Sequence, residues 1–176
     1  MAVEIEAIVY ASDANKGSRK VFEAAINQAV KHQSKIIYVH AVNKADVITP
    51  DISYSYLPSD IDKLHSAQHR NELIEKLKTR IHRYIKEKLT DLDIQVQFSI
   101  CVQFGNPEEV IINTAKQFNA GLIVMGNRKS SELSRVFLGS TANKVLQKSE
   151  VPILIVPIAK KIEMLGITSF RVQKEL

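Results

Sequence analysis

The feature that most constrains the fold of this 176-residue chain is an alternation between two apolar periods. Short apolar runs of strand length alternate with segments whose apolar residues recur every three or four positions, as on one face of a helix. The run over residues 35–42 is almost continuously apolar, which favours a strand buried on both faces of a parallel sheet. The alternation predicts an α/β domain with right-handed crossovers and helices on both faces.

Five strands and four helices follow from these periods. The predicted strands cover residues 5–11, 35–42, 94–102, 122–125 and 151–156, and the predicted helices cover residues 19–32, 60–89, 106–118 and 139–148. Asn106, Pro107 and two acids form a helix start, with an Asn cap. Residues 43–59 have no clear period and predict a long surface loop. We expect one domain over residues 1–158 and a C-terminal tail over residues 159–176.

Charge and composition exclude several classes of function. The net charge of +5 favours anionic partners, but the basic residues do not cluster as a nucleic-acid surface requires. The apolar run from Val151 to Ile158 is far shorter than the ~20 residues that cross a bilayer. Glu4 and Glu6 stand where a secretion signal carries positive charge, and Cys101 is the only cysteine. We therefore expect a cytoplasmic protein that binds neither membrane nor nucleic acid.

The stretch from Met125 to Ser140 resembles the signature of the universal stress protein family, Gly-x2-Gly-x9-Gly-Ser/Thr. Gly126 and Gly139 match its first and third glycines, and Ser140 follows, while Lys129 stands at the second glycine. Residues 9–13, 38–42 and 151–156 also resemble the family's first, second and last strands. The resemblance covers about residues 3–158.

The resemblance implies an open five-stranded parallel sheet of order 3-2-1-4-5, a Rossmann-like fold of the adenine nucleotide alpha hydrolase type. In that order the chain adds strands outward on one side of the first strand and then on the other side. The switch point lies between the first and fourth strands, where ligands of such sheets bind. By resemblance to the family's nucleotide binders, ATP or a related adenine nucleotide, with Mg²⁺ as a possible companion, would bind there. The resemblance implies that the phosphates contact Gly126, Arg128, Gly139, Ser140 and Thr141. It implies that Asp13 lies near the ribose and the metal. It also implies that Ala41 lines the adenine pocket, with Met125 close by.

Lys129 leaves two interpretations of the phosphate site open. If its position requires a positive φ or a close approach of the backbone, lysine is penalised and its side chain fills the site. If the backbone tolerates lysine, the ammonium group can pair with a phosphate as a point charge.

Several of these residues also have purely structural interpretations. Asp13 can form an Asx-turn, Gly139 and Ser140 can simply begin a helix, and Arg128 can be a solvated loop charge. Other candidates are interpreted structurally: His40 as a core or rim histidine, Cys101 as a small buried hydrophobe, and His65 and His69 as part of a solvated helix face rather than metal ligands.

Three functions from different classes remain, the last of them a genuine enzyme such as a nucleotide hydrolase. The first is a homodimeric binding module for an adenine nucleotide, which pairs through its last strand, Val151–Ile158, and has at most very slow hydrolysis because no nucleophile or general base is evident. The alternative is a protein of the same family that binds no nucleotide and acts through an unidentified protein partner, using residues 43–59 or the tail.

Overall fold

The computed structural model describes residues 4–13, 18–42, 67–128 and 138–158. Five strands and four helices lie in these ranges: β1 (Ala7–Ala11), α1 (Arg19–His32), β2 (Lys35–Val42), α2 (Ala67–Leu92), β3 (Phe98–Phe104), α3 (Pro107–Gln117), β4 (Leu122–Arg128), α4 (Ser140–Lys148) and β5 (Ile153–Ile158). The long loop predicted over residues 43–59, the tail over 159–176 and Lys129 lie outside the described residues.

The strands form one sheet of order β3-β2-β1-β4-β5, and all its pairs are parallel. The predicted fold class and strand order are confirmed. β1 lies in the centre, between β2 and β4. The chain adds β2 and β3 on one side of β1 and then β4 and β5 on the other, so the switch point lies between β1 and β4. Ligands bind at the carboxyl ends of strands at such a switch point.

Two apolar layers cover the sheet. One layer joins α1 and α2 to alternate strand residues such as Tyr10 and Tyr38, and the other joins α3 and α4 to the intervening residues, such as Val9 and Met125. Four successive residues of β1, from Ala7 to Tyr10, are at most 1% exposed because both faces are covered. Each large side chain buried this way contributes about 1.5–3 kcal/mol.

Most differences from the predicted boundaries lie at strand ends. β3 begins at Phe98 and not at Ile94; Ile94 and Val96 still pack into the α1–α2 layer, and the Gln97 carbonyl accepts a hydrogen bond from the Ile36 N–H at 2.8 Å. β4 continues to Arg128 and β5 runs over Ile153–Ile158, so Gly126 and Arg128 belong to a strand and not to the loop predicted there.

Asn106 stands at its predicted cap position and Cys101 packs against the core, but each differs from its prediction in one respect. Asn106 is the N-cap residue of α3, followed by Pro107 and the two acids, but its side chain makes no capping hydrogen bond. Cys101 is half-buried and not fully buried, with its sulfur 3.7 Å from the hydroxyl oxygen of Thr114. None of the described helices combines the length and apolar character needed to cross a bilayer.

Candidate functional site

A crevice opens at the carboxyl end of the sheet because β1 is shorter than both of its neighbours. The last residue of β1, Ala11, pairs with Val39 on β2 and with Met125 on β4. Beyond that level β2 continues through Val42 against β3, and β4 continues through Arg128 against β5. The two longer strands are about 10 Å apart, twice the spacing of neighbouring strands. Ser12 enters the space between them and bonds to β2 at Val39 and His40.

The predicted adenine residues lie in the walls of this crevice. Ala41 is half-buried near the end of β2, and Met125 is buried in β4 beside Ala11. Both pack into the layer covered by α3 and α4. Asp13 is exposed and lies two residues after the end of β1, beyond Ser12. The fold therefore brings these three residues to one end of the sheet.

The amino end of α4 carries the predicted phosphate contacts. Gly139 is its N-cap residue, Ser140 is exposed and Thr141 is half-buried. The first intrahelical bond runs from the Asn143 N–H to the Gly139 carbonyl at 3.0 Å. The amide N–H groups of the preceding helical residues therefore have no acceptor within the helix, and they form the positive end of its dipole. This end of the helix is suited to an anionic ligand.

Asn127 joins the end of β4 to the start of α4. Its side-chain oxygen accepts a hydrogen bond from the Gly139 N–H at 3.3 Å, so that amide already has an acceptor. The Asn143 side chain donates to the Leu138 carbonyl at 3.1 Å. Asn127 is not among the residues predicted from the sequence, although it stands directly after the first motif glycine.

The two matched motif glycines have different structural roles. A Cβ atom on Gly126 would lie 2.6 Å from Cδ1 of Ile158 and 3.0 Å from Cγ2 of Val21. Close packing of β4 against β5 and α1 therefore explains the glycine there. Gly139 has φ −56° and ψ 155°, which other residues also adopt, so its backbone angles do not require glycine.

An ion pair ties α3 to α4 next to the site. The Lys144 ammonium lies 3.0 Å from Oε1 of Glu108, whose side chain is 8% exposed. The pKa of the Glu108 carboxyl lies below its usual range because its own backbone N–H donates to it and because Lys144 is close. The carboxylate therefore stays charged near neutral pH.

A second polar cluster lies at the end of β1, on the α1–α2 side of the sheet. Three hydrogen bonds join Ser12 to β2: the Ser12 N–H donates to the Val39 carbonyl at 3.0 Å, the Tyr38 hydroxyl donates to Oγ of Ser12 at 2.8 Å, and Nδ1 of His40 lies 2.9 Å from the Ser12 carbonyl. A carbonyl only accepts, so Nδ1 carries the proton. His40 is 8% exposed, which confirms its interpretation as a core or rim histidine.

Burial keeps the tyrosines of this cluster protonated. It raises the pKa of Tyr38 to about 12, and it raises that of Tyr10 still further. Tyr10 packs edge-on against Tyr38 with ring centroids 5.0 Å apart, and its hydroxyl donates to the Ser18 carbonyl at 3.4 Å. Sequence reasoning missed this cluster; the available signal was two polar side chains, at positions 38 and 40, in an otherwise apolar strand.

The donor set fits Mg²⁺ only as a companion of a phosphate ligand. In the described ranges no three His, Cys, Asp or Glu side chains meet as a metal centre. Mg²⁺ is commonly held by one or two carboxylates together with substrate phosphates, and Asp13 is the carboxylate at the crevice. The fold thus places a switch point, a helix amino end and a carboxylate at the same end of the sheet.

The described elements define an open α/β fold of the adenine nucleotide alpha hydrolase-like type. The solved structure of protein MJ0577 of Methanocaldococcus jannaschii superposes with a TM-score of 0.66 at 21% identity, covering 90% of this chain and 100% of that one. A universal stress protein solved in complex with cAMP superposes with a TM-score of 0.56 at 18% identity, covering 89% and 100% of the two chains. One from Archaeoglobus fulgidus in complex with dAMP gives 0.53 at 17%, covering 87% and 98%.

The sequence itself matches the universal stress protein family over residues 4–157. Universal stress protein YxiE of Bacillus subtilis is 32% identical over 151 residues, which cover 85% of this chain and 97% of that protein. The chain belongs to the universal stress protein family, and the resemblance noted in its sequence is confirmed.

Proposed function

We propose that this protein is a cytoplasmic stress-response module that binds an adenine nucleotide, with ATP and Mg²⁺ as the form to test first, in the crevice between β1 and β4. One observation carries the proposal. β1 ends at Ala11 while β2 and β4 continue, so a gap opens at the switch point of the sheet. The two fold relatives in complex with cAMP and dAMP support an adenine nucleotide as the ligand class.

The proposed contacts follow the chemistry of the crevice. Backbone N–H groups and hydroxyls at the start of α4 bind the phosphates, and the positive charge of Arg128 assists them. Asp13 contacts the ribose or the phosphate-bound metal, and Ala41 and Met125 form the apolar adenine pocket. The proposed residues are Asp13, Ala41, Met125, Gly126, Arg128, Lys129, Gly139, Ser140 and Thr141.

A second candidate function is protein–protein interaction without nucleotide. Two observations favour it: Lys129 replaces a motif glycine, and Asn127 already accepts the Gly139 N–H that a phosphate would use. In this alternative the crevice stays empty and the family fold presents a surface to a protein partner. Either function needs only binding, since neither requires a nucleophile or general base.

The deciding experiment compares wild type with Lys129→Gly. Freshly purified protein is denatured and any released nucleotide is identified by mass, and ATP·Mg²⁺ is then titrated calorimetrically into both proteins. We expect micromolar or tighter binding by wild type, because a lysine ammonium beside the phosphates adds favourable charge. Arg135→Gly is the matched control, since it removes one positive charge from the same segment without restoring a motif glycine.

Each outcome separates the two candidates. Binding by wild type supports the nucleotide module. No binding by wild type with binding restored in Lys129→Gly supports the interaction protein, whose nucleotide site the lysine has closed. Absence of binding in both proteins means that the crevice is not a nucleotide site.

A further inference from the structure

The end of β1 is held by side chains where the sheet itself has stopped. Ser12 is the first residue beyond β1, and its three polar groups, the N–H, the carbonyl and the hydroxyl, all bond to β2. The partners are three consecutive residues, Tyr38, Val39 and His40. Only the Val39 bond is of the backbone type that an ordinary parallel ladder supplies.

The two side-chain partners are well placed to be rigid. Residues two apart on a strand point to the same face, so Tyr38 and His40 reach Ser12 from one side. Tyr38 is 3% exposed and is packed edge-on against Tyr10. A hydrogen bond made by so buried a hydroxyl is not readily replaced by one to water, so removing it weakens the attachment of Ser12 to β2.

The connection that starts at Ser12 is also held at its other end. The Tyr10 hydroxyl donates to the carbonyl of Ser18, the residue before α1. Between these two held points the chain passes Asp13, the carboxylate at the mouth of the crevice. The direction in which the chain leaves Ser12 therefore determines where Asp13 lies.

We propose that Tyr38 and His40 are positioning residues for the ligand crevice: they hold Ser12 against β2 and thereby set the place at which Asp13 enters the site. The inference rests on the proposed nucleotide function for its effect on affinity. Neither residue needs to contact the nucleotide, because both act through Ser12. Preorganisation of this kind lowers the ordering cost of binding.

The first test measures ATP·Mg²⁺ affinity by calorimetry in single variants of the full chain. Tyr38→Phe removes one hydroxyl, and His40→Leu removes the ring donor. We expect each to weaken binding about fivefold, the equivalent of one net hydrogen bond. His40→Asn keeps an N–H donor near the position of Nδ1, and we expect it to retain affinity within about twofold of wild type.

The matched control is Tyr84→Phe. Tyr84 belongs to the same aromatic group, with its ring 5.4 Å from that of Phe22, and loses the same hydroxyl in this variant. Equal loss of affinity in Tyr84→Phe and Tyr38→Phe would point to general damage of the aromatic layer and overturn the proposal. Failure of His40→Asn to restore what His40→Leu loses would also count against it.

The second test needs no nucleotide. Amide hydrogen exchange is compared at Ser12 and at Val9, in the middle of β1. We expect exchange at Ser12 to become about fivefold faster in Tyr38→Phe and His40→Leu while Val9 is unchanged. Equal acceleration at both amides, or no change at Ser12, overturns the positioning role.

The two tests distinguish the two proposals. If wild type binds ATP and Tyr38→Phe binds it equally well, the positioning role is wrong and the nucleotide site stands. If wild type binds no nucleotide, the proposed function fails, and exchange at Ser12 alone decides whether Tyr38 and His40 position the end of β1.

Discussion

Gly126 shows how a motif residue can serve packing as well as ligand binding. The sequence pattern associates it with phosphate, through close approach of the backbone to an anion. In the structure it lies in β4, opposite Val156, with Ile158 and Val21 in the space that a Cβ atom would occupy. The absence of a side chain lets α1 and the end of β5 approach the strand that forms one wall of the crevice.

Substitution Gly126→Ala is therefore expected to destabilise the protein by about 1–3 kcal/mol through overpacking. The closest atom is the end of the flexible Ile158 side chain, whereas Cγ2 of Val21 belongs to a branched and stiffer one. Denaturant unfolding of Gly126→Ala, Ile158→Val and the double variant measures the clash. The double variant should recover part of the loss, because it lacks Cδ1 of Ile158; strictly additive losses would contradict the packing explanation.

At the scale of elements, the position of α4 depends on polar contacts at its amino end and along its side. Asn127 holds its N-cap residue, Gly139, to β4, and Lys144 holds its side to Glu108 at the start of α3. These contacts place the helix amino end at the crevice. The pair is partly open to solvent, since the Lys144 side chain is 55% exposed, so its contribution to stability is small.

The Glu108–Lys144 pair predicts a stability difference that depends on pH. The pKa of Glu108 is lowered in the folded protein, first by its own backbone N–H and then by Lys144. Its contribution is therefore present above the ordinary carboxyl pKa and is lost as the pH falls through the folded value. Glu108→Gln should lower the melting temperature by about 1–2 °C at pH 7 and by almost nothing below about pH 3.

The control for this prediction is Glu109→Gln. Glu109 is exposed and lies in the same first turn of α3, so its substitution removes the same interaction with the helix dipole, but Glu109 makes no ion pair with the described residues of α4. Thermal unfolding of the two variants across pH 3–7 separates the contacts particular to Glu108, its own backbone N–H and Lys144, from the interaction with the helix dipole. Identical curves would mean that the dipole interaction accounts for the whole effect.

The elements also show how far sequence reasoning reaches. α1 and β2 begin and end at the predicted residues, because a clear helical period and a continuous apolar run are each bounded by polar residues. β3 was predicted too early, since the apolar side chains of Ile94 and Val96 pack on the α1–α2 layer before the strand begins at Phe98. β4 was predicted too short, since Gly126 and Asn127 suggest a loop until β5 is placed beside them.

The candidate site was predictable only in part for the same reason. The motif located Gly139 and the start of α4, and the strand order located the switch point. The contacts of Ser12 form because β1 ends opposite Val39 while β2 continues. They depend on how β1 and β2 align, and α1 separates these two strands in the sequence. No local pattern in the sequence contains that information.

At the scale of the whole molecule, the two edges of the sheet differ. β3 has α2 packed along it, whereas β5 carries four successive half-buried apolar residues, from Ile153 to Val156, and an exposed Pro157. A long apolar edge strand is normally covered or paired, because its open backbone groups invite association. We therefore propose that two copies of the chain associate through Val151–Ile158.

This proposal predicts a dimer by sedimentation at micromolar concentration and a monomer for Ile155→Lys. Ile155 lies in the middle of β5, so a two-fold contact there would bring two added ammonium groups close together with little room for water. Leu92→Lys is the control, because it adds the same charge to a partly exposed leucine at the end of α2, beside the opposite edge. Dissociation by both substitutions would implicate net charge and not the β5 edge, and a wild-type monomer would exclude the contact. If only Ile155→Lys dissociates, the ATP titration is repeated on that monomer. We expect the monomer to bind as wild type does, because β1, β4 and α4 of a single chain form the crevice.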